Sequence, residues 1–163
     1  MTLNADTLVA ALGMVNIREE IPVEQFTIGS SSALVVLGLR ESCNVLSVWL
    51  EKDHFTQLCV THKVTNHPMT DTLVTLELGR CGASESIRVE VRERNPYFES
   101  YALEGFTEEV SVFNDLTLLI QKRHEYAKLR ETSASVEEVQ QVQQDIRVLN
   151  DRHAEKNKVK EVA

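Results

Sequence analysis

Histidines and cysteines gather between positions 54 and 81, and these are the side chains that most often bind zinc. The group comprises His54, Cys59, His62, His67 and Cys81. Residues 55–64 alternate loosely between apolar and polar types, which predicts a β-strand. On a strand, His54 and His62 would share a face but lie roughly 26 Å apart, with Cys59 on the opposite face. Since no CxxC or HxxxH spacing occurs either, we predict no metal site and no bound cofactor.

A second set of residues could act as nucleophiles or phosphate ligands. Ser30, Ser31 and Ser32 follow Gly29, but the stretch lacks the lysine of a phosphate-binding loop and the G-x-S-x-G pattern of a nucleophile elbow. Neighbouring carboxylates fall in a connector and at a helix start, where solvation or capping explains them. The sequence therefore predicts a loop at Gly29 and a protein that is not an enzyme.

Three arginines form a candidate site for an anionic ligand. Arg88, Arg92 and Arg94 stand at even spacing, so a β-strand would place them on one face. Such a patch could bind a phosphate, a phosphoinositide headgroup or an acidic peptide. Glu90 and Glu93 interleave with the arginines, and alternating charge is also typical of a solvated sheet face. Both interpretations stay open.

Composition narrows the classes of partner. The 163 residues carry a formal net charge of −8, which argues against a bulk electrostatic interaction with nucleic acid or with an anionic membrane surface. No apolar stretch is long enough to span a bilayer, although peripheral contact with a membrane stays open. Three cysteines are too few for a disulfide framework, and the N-terminal stretch lacks the pattern of a signal peptide. We therefore expect a reducing compartment, the cytoplasm by default.

Short strands dominate residues 26–103, after a short helix over residues 7–14 that Asn4 or Asp6 could cap. The predicted strands share apolar runs or alternation bounded by turn residues. They cover residues 33–39, 45–50, 55–64, 73–78, 87–91 and 97–103. Residues 33–39 are nearly all apolar, which predicts a central strand. Because no helix-length crossover separates these segments, the pattern predicts an antiparallel meander of six or seven strands, open or partly closed into a barrel.

Two helices are predicted to follow the strands. The first, residues 108–130, has a wide apolar stripe that favours packing on the sheet. The second begins at Val136 behind a capping box formed by Ser135 and Glu138. Its apolar residues recur every three or four positions on one narrow stripe, which we call the tail stripe. The tail stripe consists of Val139, Val142, Ile146 and Leu149.

The sequence thus predicts an α+β fold in which residues 1–131 form a β-rich head and residues 132–163 a helical tail for pairing. The tail stripe could face the first helix in an αα-hairpin, a second copy of the chain in a homodimer, or a helical partner protein. In its number and order of elements, the chain is similar to the pleckstrin-homology-like barrel and to the head-plus-coiled-coil scaffolds of centriole assembly and DNA end joining.

The function predicted from this outline is a cytoplasmic, non-catalytic interaction or scaffold subunit that pairs through the tail stripe. The alternative is a pleckstrin-homology-like module that binds a phosphoinositide or acidic ligand through Arg88, Arg92 and Arg94. The tail stripe carries the first prediction because its four side chains together would contribute several kcal/mol on pairing, at roughly 1.5–3 kcal/mol each before entropy losses.

Overall fold

The computed structural model describes residues 2–67, 71–79, 85–106 and 109–162, with side chains up to residue 158. The chain forms two compact units, Met1–Phe113 and Asn114–Ala163. The first unit contains a six-stranded sheet with three helices, and the second contains two helices. The predicted division at residue 131 stays a prediction, as does the packing of the first tail helix on the sheet. Within the described residues, no helix is both long and apolar enough to cross a membrane.

Helix α1 (Ala5–Glu19) opens the first unit. The Asn4 side chain accepts a hydrogen bond from the Thr7 amide at 2.9 Å, which confirms Asn4 as the cap and satisfies one of the free amides of the first turn. The helix extends beyond the predicted residues 7–14. Its buried residues, which recur at spacings of three or four, are Leu8, Ala11, Leu12 and Val15.

Strand β1 (Thr27–Ile28) is followed at once by helix α2 (Ser30–Val36), so the central strand predicted at residues 33–39 is wrong. Five consecutive helix residues, Ser32 to Val36, are buried. A helix buried on all sides shows no 3.6-residue periodicity, and its apolar run is the same as that of a buried strand. The Ser32 hydroxyl satisfies local backbone groups at the start of this helix, since it lies 2.8 Å from the Gly29 carbonyl oxygen.

Strand β2 (Leu46–Leu50) lies within the strand predicted at residues 45–50, but helix α3 (Lys52–Thr61) occupies most of the strand predicted at residues 55–64. The buried residues of α3 are Phe55, Leu58 and Cys59. Their spacing of three and then one is that of a helix face, and a strand would bury alternate residues instead. The strand prediction is therefore wrong, because a short helix with polar residues between its buried positions resembles loose alternation.

The remaining strands are β3 (Leu73–Gly79), β4 (Ser86–Glu93), β5 (Ser100–Leu103) and β6 (Val110–Phe113). Strands β3 and β4 pair antiparallel, with Leu76 opposite Val89. Both alternate strictly between buried and more exposed residues, as their sequences predict. Cys81, which belongs to the predicted group of histidines and cysteines, lies outside the described residues.

The sheet has the order β3-β4-β2-β1-β6-β5 and contains both parallel and antiparallel pairs. Strand β2 is parallel to β4, and β1 is parallel to β6. The predicted antiparallel meander is therefore wrong. It assumed that no helix lies between the strands, whereas α3 supplies the crossover that a parallel pair needs between β2 and β4. The fold is α+β with a mixed sheet.

One face of the sheet is apolar and fully buried. Residues of four strands on this face are 0–1% exposed: Val48 and Leu50 on β2, Val74 and Leu76 on β3, Val89 and Val91 on β4, and Val110 and Val112 on β6. Helix α1 contacts β3, α2 contacts β2 and α3 contacts β4. The buried side chains of these helices complete the core of the first unit, which leaves the other face of the sheet to carry polar residues.

The second unit is an αα-hairpin of α4 (Asp115–Glu131) and α5 (Val136–Val162), which contact each other along their length. The Asn114 side chain caps α4 by accepting from the Thr117 amide at 2.9 Å. Part of the helix predicted at residues 108–130 is instead strand β6, and its predicted start at Glu108 lies outside the described residues. At the start of α5, the Glu138 amide donates to the Ser135 hydroxyl at 3.2 Å, which confirms Ser135 as the cap.

Candidate functional site

The second face of the sheet carries polar and aromatic side chains, and we call it the polar face. Residues that pair across neighbouring strands point to the same side of a sheet. Trp49 on β2 pairs with Arg92 on β4 and with Thr27 on β1. Ser47 on β2 pairs with Glu90 on β4. These five residues therefore share the polar face at the centre of the sheet.

Arg92 is a charged group of the polar face on β4, beside the central strand β2. Its guanidinium lies over the Trp49 ring at 5.7 Å from the ring centroid, within range of a cation–π interaction. It also lies 3.3 Å from a Glu90 carboxylate oxygen and 3.5 Å from Asp71. Asp71 is 57% exposed, and an ion pair with so exposed a partner is weak because water competes for both charges. Arg92 is thus held by Trp49 and Glu90, and Asp71 is the partner that a ligand can replace.

Arg94 bonds to three neighbours across the sheet. One guanidinium nitrogen donates to the Thr27 hydroxyl at 3.1 Å, and the other donates to the Phe98 carbonyl at 2.9 Å and to the Ser100 hydroxyl at 3.0 Å. The guanidinium also lies over the Phe113 ring, 5.6 Å from its centroid. Arg94 therefore fixes the segment that leads from β4 to β5.

Aromatic rings line the same region of the polar face. Trp49 and Phe113 meet edge to face with centroids 5.4 Å apart, and Phe98 meets Phe113 in the same way at 6.3 Å. Edge-to-face pairs are favourable because the positive rim of one ring contacts the negative face of the other. Together with the two arginines, these rings form a rigid cluster beside the central strands.

The turn between β1 and α2 lies next to this cluster. The Gly29 amide donates to the Ser47 carbonyl, and the Ser47 amide donates to the Ser32 hydroxyl at 3.0 Å. Ser30 has φ +52°, a left-handed backbone conformation that costs a residue other than glycine about 1 kcal/mol or more. Arg40 donates to the Ser31 hydroxyl at 2.9 Å. The strained turn is thus tied to β2 through Ser32 and Ser47.

The predicted arginine site divides in two. Arg88 and Arg92 converge on the Glu90 carboxylate, at 3.5 and 3.3 Å, whereas the Arg94 guanidinium is turned toward β1 and β5. Since Asp71 also lies 3.5 Å from Arg92, these two arginines face two carboxylates, and their charges are balanced at this point of the polar face. Anion binding by these residues stays a prediction. The sequence did not indicate Trp49, Thr27 or Phe98, whose distant positions are brought together only by the strand order.

The tail stripe lies on α5 within the second unit. Val142 and Leu149 are buried, and Val139 and Ile146 are half-buried. Among the three arrangements weighed from the sequence, contact between α4 and α5 is the one the structure contains. Use of the stripe to bind a second copy or a partner stays a prediction.

His54, Cys59 and His62 belong to helix α3 and its C-terminal end, and their environments differ. His54 lies in α3 and His62 at its end, where His62 Nε2 is 2.9 Å from a Glu19 carboxylate oxygen. Cys59 is 3% exposed, and burial, with a smaller contribution from the charge of Glu93, raises the pKa of its thiol. A protonated, buried thiol is a poor nucleophile. In the part of the chain that the structure describes, no three histidine, cysteine, aspartate or glutamate side chains are grouped to bind a metal ion.

Comparison with known proteins identifies the fold. A scan against protein-family models finds no match, and a search of curated proteins finds no matching relative. Among solved structures, the chain is similar to an antigenic nucleotidyltransferase-like protein from Paracoccidioides brasiliensis, with a TM-score of 0.57 and 15% sequence identity. The similarity covers 91% of this chain and 78% of that one. At this identity, the comparison shows a shared nucleotidyltransferase-like fold.

The structure and the comparison contradict the function predicted from the sequence. The scaffold prediction rested on the tail stripe, and the pleckstrin-homology-like alternative required an antiparallel β head. The mixed sheet and the similarity to a nucleotidyltransferase-like protein contradict both. Both are therefore wrong as inferences from the fold. The prediction that the chain is not an enzyme has no positive support from the comparison.

Proposed function

We propose that the Met1–Phe113 unit binds a nucleotide on the polar face of its sheet. The observation that carries the proposal is the placement of the Arg92 guanidinium between the Trp49 ring and the Glu90 carboxylate at the centre of the sheet. An arginine binds phosphate oxygens through directed hydrogen bonds. The nucleotidyltransferase-like fold of the structural neighbour supports a nucleotide over other phosphorylated ligands.

The ion pairs of Arg92 make such binding energetically reasonable. A surface ion pair contributes about 0–1 kcal/mol, so a phosphate group can replace Asp71 at little cost. Glu90, with its side chain 19% exposed, can then accept hydrogen bonds from a sugar hydroxyl or a base amino group. The chain as a whole is negatively charged, so we expect Mg²⁺ to accompany a polyphosphate ligand.

Trp49 provides a direct test because it is the one tryptophan of the chain. Titration with ATP, GTP, CTP and UTP, each with Mg²⁺, is expected to change its fluorescence with saturation for at least one nucleotide. Arg92→Ala is expected to weaken binding by about 10- to 100-fold, since a hydrogen bond to a charged group contributes about 1.5–3 kcal/mol. Arg92→Lys retains the charge without the guanidinium fork and should fall between the two.

Arg147→Ala is the matched control, because Arg147 is exposed on α5 in the second unit and its loss should leave the titration unchanged. Thermal melting of each variant separates loss of binding from loss of folding. The absence of any saturable fluorescence or melting change with all four nucleotides at millimolar concentration would refute the proposal. Pyrophosphate release in the same samples tests whether binding leads to nucleotidyl transfer.

A further inference from the structure

One large aromatic side chain beside the polar face is almost fully exposed. Tyr97 is 89% exposed and lies in the segment that joins β4 to β5. These strands are separated in the sheet by β2, β1 and β6, so the segment has to cross three strands. Phe98, the next residue, packs its ring on Phe113. The crossing segment thus places one aromatic ring on the polar face and presents the other to solvent.

Local hydrogen bonds hold Tyr97 in a defined turn. The Phe98 amide donates to the Asn95 carbonyl at 3.1 Å, and the Tyr97 amide donates to the Asn95 side chain at 3.0 Å. Pro96 fixes its own φ between them. Arg94, which directly precedes the turn, holds its C-terminal end through the Phe98 carbonyl and the Ser100 hydroxyl. The Tyr97 backbone is therefore positioned before any ligand arrives, which reduces the entropy cost of binding.

We propose that Tyr97 binds the base of the nucleotide by stacking on it. The inference rests on the proposed function and adds the part of the ligand that the arginines do not recognise. Arginine binds any phosphate, but an exposed ring on a fixed turn adds affinity only for a ligand that carries a flat ring of its own. The site is thus expected to select nucleotides over inorganic polyphosphate.

The contacts among the aromatic rings support an arrangement with the phosphates at Arg92 and the base at Tyr97. Phe98 and Trp49 both contact Phe113, so Tyr97 is adjacent in sequence to a ring within the same cluster as the Arg92 site. A nucleotide with its phosphates at Arg92 extends by the length of a ribose to its base. Among the described residues of the first unit, Tyr97 is the most exposed aromatic side chain.

The test compares one nucleotide with inorganic tripolyphosphate, each with Mg²⁺, by Trp49 fluorescence on the full chain. Tyr97→Ala is expected to weaken nucleotide binding by at least about fivefold, the lower bound for loss of one base–aromatic stack, and to leave tripolyphosphate binding unchanged. Tyr97→Phe keeps the ring and should bind both ligands as the wild type does. Ile17→Ala, which truncates an 80% exposed side chain of α1, is the control for general surface effects.

Each other outcome has a distinct meaning. Wild-type affinity for the nucleotide in Tyr97→Ala would overturn the stacking role while the nucleotide proposal stands. An equal loss of nucleotide and tripolyphosphate binding in that variant would also overturn it, because it would make Tyr97 a support for the turn. Failure of the wild type to bind either ligand would instead overturn the proposed function itself.

Discussion

Arg92 and Arg94 show how two similar residues acquire different roles from their contacts. Both belong to one alternating series in the sequence, and both guanidiniums lie over an aromatic ring. Arg94 donates to a carbonyl and two hydroxyls of its own chain, so its hydrogen-bonding groups are committed to holding the crossing segment. Arg92 faces two carboxylates, and an anionic ligand can replace the exposed one, Asp71. The even spacing predicted a shared face but could not reveal this division.

Also at the scale of single residues, the buried Cys59 thiol leads to a prediction about how the stability of the protein changes at alkaline pH. Its thiol is buried, and its pKa lies above the ordinary value of 9.0. The unfolded chain therefore loses this proton at a lower pH than the folded chain, and the free energy of unfolding falls as the pH rises from the unfolded pKa toward the folded one. One such group contributes a slope of up to about 1.4 kcal/mol per pH unit.

Urea denaturation of the wild type and Cys59→Ala between pH 7.5 and 10 measures this effect. We expect the stability difference between the two proteins to change in favour of the variant as the pH rises, even if the variant is less stable at pH 7.5 because it leaves a small cavity. Parallel stability profiles over the whole range would contradict the prediction.

At the scale of elements, buried charge within the α4–α5 hairpin is the feature that the sequence did not predict. The Lys122 side chain is fully buried, with its ammonium 3.0 Å from Asp145 and 3.1 Å from Glu125. Near the other end of the hairpin, Arg152 and Lys156 on α5 lie 3.3 and 3.1 Å from the buried Asp115 carboxylate. Asp145 lies between Val142 and Ile146 of the tail stripe, so this face of α5 is partly ionic. The stripe alone predicted an apolar seam.

Removal of the Asp145 carboxylate tests how much its buried ion pair with Lys122 contributes to stability. Asp145→Ala is expected to lower the free energy of unfolding by about 3 kcal/mol, the lower end of the cost of leaving a buried charge without its partner, because Glu125 still contacts Lys122. The double variant Asp145→Ala with Lys122→Met should recover a large part of this loss, since no ammonium group is then buried. Urea denaturation of both variants measures their free energies of unfolding. Additive losses in the double variant would contradict the prediction.

The elements also differ in how well local pattern identified them. Strands β3 and β4 alternate cleanly, and the caps at Asn4 and Ser135 are formed by side chains next in the chain to the helices they begin. The sequence pattern does not reveal helix α2, because its residues from Ser32 to Val36 are all buried. It does not reveal α3, because a ten-residue helix has fewer than three turns over which the pattern can repeat. Local rules thus identify elements with one solvated face and fail for short or fully buried ones.

At the scale of the whole molecule, strand order decides where the candidate site lies, and strand order depends on contacts between distant parts of the chain. Thr27 pairs with Trp49 on one side and with Ser111 on the other. The partners of β1 are thus far apart in sequence, and no local pattern encodes them. The aromatic and arginine cluster follows from this order, so the sequence indicated arginines on one strand but could not indicate the rings and hydroxyls that meet them.

The same topology predicts which strands are most protected. Strand β6 lies between β1 and β5, whereas β5 and β3 form the two edges of the sheet. An interior strand has both sets of backbone groups hydrogen-bonded, and an edge strand has one set without a strand partner. In hydrogen–deuterium exchange followed by mass spectrometry, peptides covering β6 (Val110–Phe113) are therefore expected to exchange at least about tenfold more slowly than peptides covering β5 (Ser100–Leu103). In an antiparallel meander, β6 would lie beyond β5 at the edge, so equal or reversed exchange rates would contradict the mixed order and would remove the basis for placing Trp49, Thr27 and Phe113 in one site.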